Sequence, residues 1–409
     1  MDKTDVAIVG CGIAGGICAL KLLKEGYNVR VIDKVHKIGS HNQKKIDITE
    51  NTSLLPIIKD LKLDFLDKSS RSKWFSPNNS FLFESKIYDL FVKRGSEKDS
   101  FDTKLSDKIE EFGVKIETNS IFKDFHLKDD LISSMKMKTK NRIKEVEAKF
   151  FVGADGSDSV TLKKLHLNRY LRKCTEIIGY GLVSKELNIP ERETNVFFNT
   201  KLIPAGYFFV AKTRKELCVA SIVTTKESIG RPLKKYFSRF IKENKIVTNI
   251  LSDVKPLNYF SGSCTLGLLK KRTYSNFCAV GDAAYVMDPL FAYGVRPAII
   301  SGYLAAEAIK YNLENERCDL LDYELALREY LLSKEKLAFF LRRLFCKMNN
   351  RDLDFLVESA NYLHKRVHLD DLLDKPQKHL CLITNWILRN PMSSGRLGTK
   401  ILMEMILSS

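Results

Sequence analysis

Three short glycine-containing segments carry residue types suited to holding a phosphorylated ligand. Gly10-Cys11-Gly12-Ile13-Ala14-Gly15 follows the apolar run Val6-Ala7-Ile8-Val9. Gly153-Ala154-Asp155-Gly156 follows Phe150-Phe151-Val152, and Gly281-Asp282-Ala283-Ala284 follows Phe277-Cys278-Ala279-Val280. Each reads as a buried strand stopped by glycine, with an acidic residue or tight turn at its carboxyl end. That is where an open parallel sheet binds its ligand. In the first segment Gly10 permits the turn, Gly12 lets the backbone approach a pyrophosphate, and Gly15 lets the next helix pack on its strand. Ile13 and Ala14 open that helix, whose free N–H groups and partial positive charge suit phosphate. An acidic residue about 20 positions further on is placed to bind ribose hydroxyls. Asp33, followed by Lys34, stands there.

The elements that must position these residues are also legible. Apolar Ile17, Leu20 and Leu23 recur at helical spacing over Ile13–Lys24, and Gly26 is placed to cap that helix. Tyr27 to Ile32 reads as the second strand, ending at Asp33. Val295 to about Lys310 reads as a helix rich in small residues, with Gly294 in the turn before it. Pro297 sits in its first turn, where a missing N–H does no harm.

The order of the segments resembles the flavoprotein group that contains para-hydroxybenzoate hydroxylase. Within that group the chain resembles the geranylgeranyl reductases of archaea and photosynthetic organisms, from Val6 to about Ile309. The resemblance implies FAD as cofactor. It places Arg94, ahead of Phe101-Asp102, on the FAD phosphates and ribose, and it assigns Asp155 and Gly156, with Ser159 after them, to the group's Asp-Gly turn. Asp282 would bind the ribityl chain, and the loop and helix from Pro289 through Gly294 and Val295 would lie against the flavin ring. There are departures. Gly39 to Asp47 lacks the cysteine the reductases carry after the second strand. Pro204 to Val210 keeps aromatic residues but lacks the Trp and final Pro of their lipid-site signature, and Leu290 to Gly294 is bulkier than the family's pattern.

The resemblance further implies an FAD-dependent oxidoreductase that reduces carbon-carbon double bonds of an isoprenoid (geranylgeranyl) lipid by hydride transfer from the reduced flavin N5. Phe83, Phe198, Tyr207, Phe209 and Phe291, with Phe81 and Tyr293, are candidate walls of the substrate site, and each would equally suit a core. Tyr207 and Tyr293 are weak candidates for the catalytic proton donor. The expected electron donor is NAD(P)H or a reduced acidic carrier such as ferredoxin. Two other readings stay open: an FAD-dependent monooxygenase or hydroxylase of an apolar small molecule, and a non-catalytic flavin-bearing module. A halogenase fits less well, because the Trp-x-Trp-x-Ile-Pro signature is absent.

The expected fold class is α/β, α+β overall. A Rossmann-like FAD-binding domain (1–65, 91–165, 265–315) is interrupted by a mostly antiparallel substrate domain (66–90, 166–264), and a helical C-terminal region spans 316–409. In that tail Leu337, Phe340, Leu341, Leu344, Phe345 and Met348 form one apolar stripe, with Arg342, Arg343 and Lys347 off it. His364 and His368 have i, i+4 spacing but no accompanying HExxH pattern, so no metal is expected.

Lys and Arg exceed Asp and Glu by 17, spread along the 409 residues. No nucleic-acid motif accompanies that charge, so nucleic acid is not an expected partner. An acidic electron carrier or an anionic membrane face suits it, and solvated lysines explain it equally. No apolar run reaches the roughly 18 residues of a membrane span, and a strand close to the N-terminus argues against a signal peptide. Nine cysteines without a CxxC pair suggest reduced, buried thiols. The expectation is a cytoplasmic enzyme, with peripheral contact to the cytoplasmic membrane face.

Overall fold

A computed structural model of the chain describes residues 3–42, 44–51, 53–140, 142–215, 217–333, 335–367 and 380–406. Its strands are β1 (Lys3–Val9), β2 (Val29–Ile32), β3 (Ile46–Glu50), β4 (Asp67–Phe75), β5 (Ser80–Lys93), β6 (Ser120–Lys128), β7 (Leu131–Thr139), β8 (Arg142–Gly153), β9 (Tyr170–Ser184), β10 (Glu193–Phe197), β11 (Tyr207–Lys212), β12 (Cys218–Thr225), β13 (Pro256–Leu269), β14 (Thr273–Tyr274) and β15 (Phe277–Ala279). The α-helices are α1 (Ile13–Lys24), α2 (Leu55–Leu61), α3 (Phe101–Glu110), α4 (Val160–Lys164), α5 (Leu233–Glu243), α6 (Lys245–Leu251), α7 (Val295–Glu314), α8 (Leu321–Leu327), α9 (Glu335–Lys347), α10 (Asn350–His364), α11 (Leu380–Arg389) and α12 (Pro391–Ile406). They group into two compact units: 1–65, 92–175 and 264–335 form unit 1; 66–91, 176–263 and 336–409 form unit 2.

Unit 1 is built on a sheet of order β14-β15-β8-β1-β2, with β7 and β6 continuing beside β8. The pairs β1–β2, β1–β8 and β15–β8 are parallel. Strands buried on both faces read as unbroken apolar runs, and Val6 to Val9 and Phe150 to Val152 are buried accordingly. The glycine-terminated α1 has the expected bounds, with Gly26 left-handed just past its end (φ +86°). Strand β2 begins at Val29, two residues later than expected; the Asn28 carbonyl before it accepts from the Asp5 and Val6 N–H groups.

Unit 2 carries strands in the order β13-β9-β12-β11-β10-β4-β5; the β9–β12, β12–β11, β11–β10 and β4–β5 pairs are antiparallel and β10–β4 is parallel. Alternation gives this sheet two apolar faces. On one, Phe75 stacks on Phe197 at 4.5 Å and Phe208 on Phe240 of α5 at 4.9 Å. Cross-strand partners share a face, so Trp74, its partner Phe81, and Phe209 across from Val196 lie on the other.

The C-terminal stretch is helical, but its apolar stripe does not face one way. Leu344 is buried, whereas Leu337 is 55% and Leu341 37% exposed. Arg342, expected off the stripe, is instead buried and donates from Nη2 to the Ala205 carbonyl at 3.0 Å. Ala205 has a left-handed φ of +48°, and a buried carbonyl there requires a donor. The buried-thiol expectation also fails in part. Cys11, Cys18, Cys218 and Cys278 are buried, but Cys318, in the loop after α7, and Cys346, near the C-terminal end of α9, are exposed. Among the described residues no helix is long and apolar enough to cross a membrane.

Candidate cofactor and active site

The register of the unit 1 sheet brings the three glycine segments together. Val9 pairs with Gly153, Gly153 with Ala279, and Val9 with Ile32. Four strand ends therefore stand in line. The ladder continues one step beyond them: Gly10 N–H donates to Ile32 O, Ala154 N–H to Val9 O and Val280 N–H to Gly153 O, at 2.8–2.9 Å.

Close packing then locks the turns on one another. A Cβ at Gly10, whose φ is +104°, would lie 2.2 Å from the Ala154 carbonyl oxygen. At Gly15 it would meet Gly10 O at 2.0 Å, at Gly281 the Ala14 methyl at 2.7 Å, and at Gly302 of α7 the Ala14 carbonyl oxygen at 2.3 Å. Ala14 of α1 is thus the point on which the third turn and α7 both close. Ser301 adds a polar tie, its hydroxyl accepting from Gly281 N–H at 2.9 Å.

Gly12 differs from these. Nothing lies within 4 Å of where its Cβ would point. The Gly12, Ile13, Ala14 and Gly15 N–H groups have no acceptor among the described residues, as expected of an uncapped helix start. Open space beside free donors is what a pyrophosphate needs. Asp33 is buried, and its carboxylate accepts from Cys11 N–H at 2.7 Å and Val35 N–H at 3.0 Å. It clamps the glycine turn to the end of β2, and its remaining lone pairs are left for ribose hydroxyls. Lys34 beside it is exposed. Burial, with Asp33 nearby, pushes the Cys11 thiol pKa up, so Cys11 stays a neutral core group.

Arg94 is buried at the centre of an ion cluster. Its Nε and Nη2 bind both oxygens of Asp102 at 2.9 and 2.8 Å, and Nη1 binds Asp47 at 2.9 Å. Asn42 and the Gly95 N–H complete the shell of Asp102 at 3.0 Å each. Burial alone would raise the pKa of the Asp102 carboxyl, but Arg94 holds it below the ordinary value. The same contest, settled by Lys45 and Arg94, lowers the Asp47 carboxyl. Lys45 and Asp47, 3.1 Å apart, belong to a set that the sequence reading passed over. Their loop departs from the reductases by its missing cysteine, and its sequence signal is the adjacent unlike charges entering a short, largely buried strand.

Asp282 behaves differently. Its carboxylate has no hydrogen-bond or ion-pair partner among the described residues, and burial pushes its pKa up against the lowering influence of Lys45 and Arg94. An unpartnered, half-buried carboxylate beside a helix start is a strong acceptor available to hydroxyl donors. Gly294, the N-cap of α7, lies next to it: a Cβ there would be 3.7 Å from Asp282 Oδ1. Pro289 and Val295 are buried, and the Gly294 and Val295 N–H groups have no acceptor among the described residues. The Arg296 N–H is already bonded to Thr49 Oγ1 at 3.1 Å, and Pro297 has none, so α7 offers fewer donors than a typical helix start.

The second turn is self-contained. Asp155 accepts from the Val160 and Thr161 N–H groups and from the Ser159 and Thr161 hydroxyls, capping α4. Gly156 is left-handed (φ +87°) with open space where its Cβ would be. Tyr285, also left-handed (φ +55°), donates to Ser157 O at 3.1 Å and packs with Tyr170 hydroxyl to hydroxyl at 2.8 Å.

Of the candidate substrate-wall aromatics, Phe291 and Tyr293 stack at 5.9 Å on the turn before α7 in unit 1. The others belong to unit 2. Phe81, Phe198 and Tyr207 are buried, and Phe83 and Phe209 are partly exposed. Phe345 of α9 packs on Phe198 at 6.0 Å and His364 of α10 on Phe81 at 5.3 Å. His368 lies outside the described residues, and among those described no group of three or more His, Cys, Asp or Glu could hold a metal.

A family model described as an FAD binding domain matches residues 5–44, the segment from β1 through Asp33 to Lys44. The digeranylgeranylglycerophospholipid reductase 2 of Methanopyrus kandleri is 23% identical over 373 residues, covering 87% of this chain and 90% of its own length. Among solved structures, a geranylgeranyl bacteriochlorophyll reductase-like protein from Thermoplasma acidophilum superposes with a TM-score of 0.78 at 20% identity, covering 88% of this chain and 92% of that one. A flavin-dependent brominase superposes at 0.72 with 18% identity over 91% and 92%. The free N–H groups of α1, the open face of Gly12 and the unpartnered Asp282 fit FAD on this chain's own evidence. The chain is an FAD-dependent oxidoreductase, similar along nearly nine-tenths of its length to the geranylgeranyl reductases.

Proposed function

We propose that the protein reduces carbon-carbon double bonds in an isoprenoid, geranylgeranyl-type lipid. The observation that carries this reading is the unit 2 sheet face of Trp74, Phe81, Phe83, Tyr207 and Phe209, with Phe198 beside it, a largely aromatic face, with Val196 among the rings, suited to a long apolar chain. Each methylene buried on such a surface contributes about 0.8 kcal/mol. Chain binding needs few polar contacts.

Bound FAD would supply hydride chemistry from its reduced ring. The protein's part is to hold and orient. Gly12 and the α1 N–H groups would take the pyrophosphate, Asp33 the ribose, and Asp282 the ribityl hydroxyls. Gly294 and Val295 N–H would face the ring edge, and Arg94, fixed between Asp47 and Asp102, would offer its remaining N–H groups to the FAD phosphates and ribose. Gly156 would leave room for the cofactor beside the second turn. Phe291, in unit 1, is a further candidate substrate contact. Tyr207 and Tyr293 remain the candidates for the hydroxyl that hands a proton to the second alkene carbon.

The test is anaerobic reduction of the purified flavoprotein followed by addition of a geranylgeranyl lipid. Reoxidation of the flavin without oxygen, with saturated product recovered, is the expected result. If several polyprenyl lipids leave the reduced flavin untouched while oxygen reoxidises it in a substrate-dependent way, the monooxygenase alternative replaces this reading; the fold shared with a flavin-dependent brominase is what keeps that alternative in view. The same assay assigns the donor. Reduction by ferredoxin that weakens steeply with added salt marks an acidic carrier steered by the net charge of +17; salt-insensitive reduction by NAD(P)H marks the nicotinamide.

A further inference from the structure

On the opposite face of the unit 2 sheet lies a groove of about 240 Å³ between α5, the loop leading into β13, and strands β9 and β13. Its floor is aromatic: Tyr180 stacks on Tyr259 at 6.1 Å and meets Phe237 edge-on at 5.3 Å. Leu182, Ile241, Leu251 and Val254 form the walls. This is the side that packs on Phe208, so the groove is separate from the aromatic face assigned to the isoprenoid chain.

The rim is polar and unpartnered. Lys234 and Ser238, one helical turn apart on α5, both line the groove. Neither makes an ion pair or side-chain hydrogen bond among the described residues, in contrast with Arg239, which is paired to Glu243 at 2.9 Å. Tyr259 is 51% exposed and Leu257, two residues earlier on the same strand face, 53%. An apolar trough open to water, with a free cation and a free hydroxyl at one edge, matches an apolar chain ending in an anion. The volume of about 240 Å³ lies under the roughly 300 Å³ lower bound for drug-sized ligands. It therefore takes one chain end, too little for a peptide helix.

We propose that this groove binds a monomeric, single-chain anionic amphiphile, with the chain over Tyr180 and Tyr259 and the phosphate or carboxylate on Lys234 and Ser238. The probe is dodecyl phosphate below its micellar concentration, titrated calorimetrically into the FAD-loaded full-length protein. Wild type is expected to bind it, and Lys234→Glu and Ser238→Asp, both at exposed positions, should each weaken binding at least tenfold while circular dichroism stays unchanged. Val254→Trp, which fills the trough, should abolish binding; if that variant fails to fold, the two rim variants decide alone. Inorganic phosphate and dodecyltrimethylammonium should bind at least tenfold more weakly than dodecyl phosphate. Equal binding of dodecyl phosphate to wild type and the rim variants would overturn the proposal. So would equal binding of either control ligand, or variant-sensitive binding of anionic vesicles with none of the monomer.

Discussion

Gly10 and Gly12 belong to one turn and should respond oppositely to a side chain. Gly10 is left-handed and pressed on Ala154 O at 2.2 Å, so Gly10→Ala should impair folding itself. Gly12 faces open space, so Gly12→Val should purify folded yet lose FAD affinity by at least about tenfold, about 1.4 kcal/mol. Flavin absorbance per mole of folded protein reads the difference. Asp282→Ala should also keep the fold, because the carboxylate has no protein partner to abandon. It should weaken FAD by the roughly 1.5–3 kcal/mol of a charged hydrogen bond. If both variants retain full flavin content, the cofactor map is wrong. Residue type and spacing single out Gly10 and Gly12 for these proposed roles, and the family resemblance singles out Asp282. The occupied state of Asp155 and Asp33 was not legible, since nothing in their spacing says how many local N–H groups each would capture.

At the scale of elements, two contacts between segments distant in sequence bear the site's geometry. The first is α7 against α1. Gly302→Ala would set a methyl 2.3 Å from Ala14 O, and such overpacking costs about 1–3 kcal/mol. Thermal denaturation should register it, with FAD affinity falling because Ala14 abuts the phosphate turn. The second is Asp47–Arg94–Asp102, which ties β3 and α3 to the segment after β5. Asp102→Asn should destabilise by about 3–5 kcal/mol at neutral pH, because it leaves a buried guanidinium without its bidentate partner. The Asp102 pKa is lower in the folded state than in the unfolded one. Its contribution is therefore complete above the unfolded value of about 3.9 and is lost as pH falls through the folded value. The wild-type advantage over Asp102→Asn in melting temperature should accordingly be flat from pH 7 to about 5 and shrink below about 4. An advantage that instead grew on acidification would exclude this assignment.

For the whole molecule, the candidate residues are divided between the two units. Unit 1 contains every candidate cofactor residue, and unit 2 contains Phe83, Phe198, Tyr207 and Phe209. Phe83→Ser and Phe209→Ser, at partly exposed positions, should leave flavin content intact and raise the KM for a geranylgeranyl lipid several-fold. Phe81→Ala should instead cost about 3–5 kcal/mol of stability, since that ring is 1% exposed. A loss of flavin in the serine variants would show that the aromatic face supports the cofactor domain rather than a substrate chain.

By itself the sequence determined the local elements around the cofactor: apolar runs ending in glycine, a helix with the bounds Ile13–Lys24, and an acidic residue at the next strand end. These follow from short-range physics, because burial on both faces and the left-handed turns at Gly10 and Gly281 leave few other sequences possible. Only the tertiary structure decided that Val9, Gly153 and Ala279 stand in one register, that Ala14 is the contact shared by the third turn and α7, and that Lys45 and Asp47 join Arg94. It alone buried Arg342 and left Leu337 in water, because a helix stripe records which residues could be covered and not what arrives to cover them.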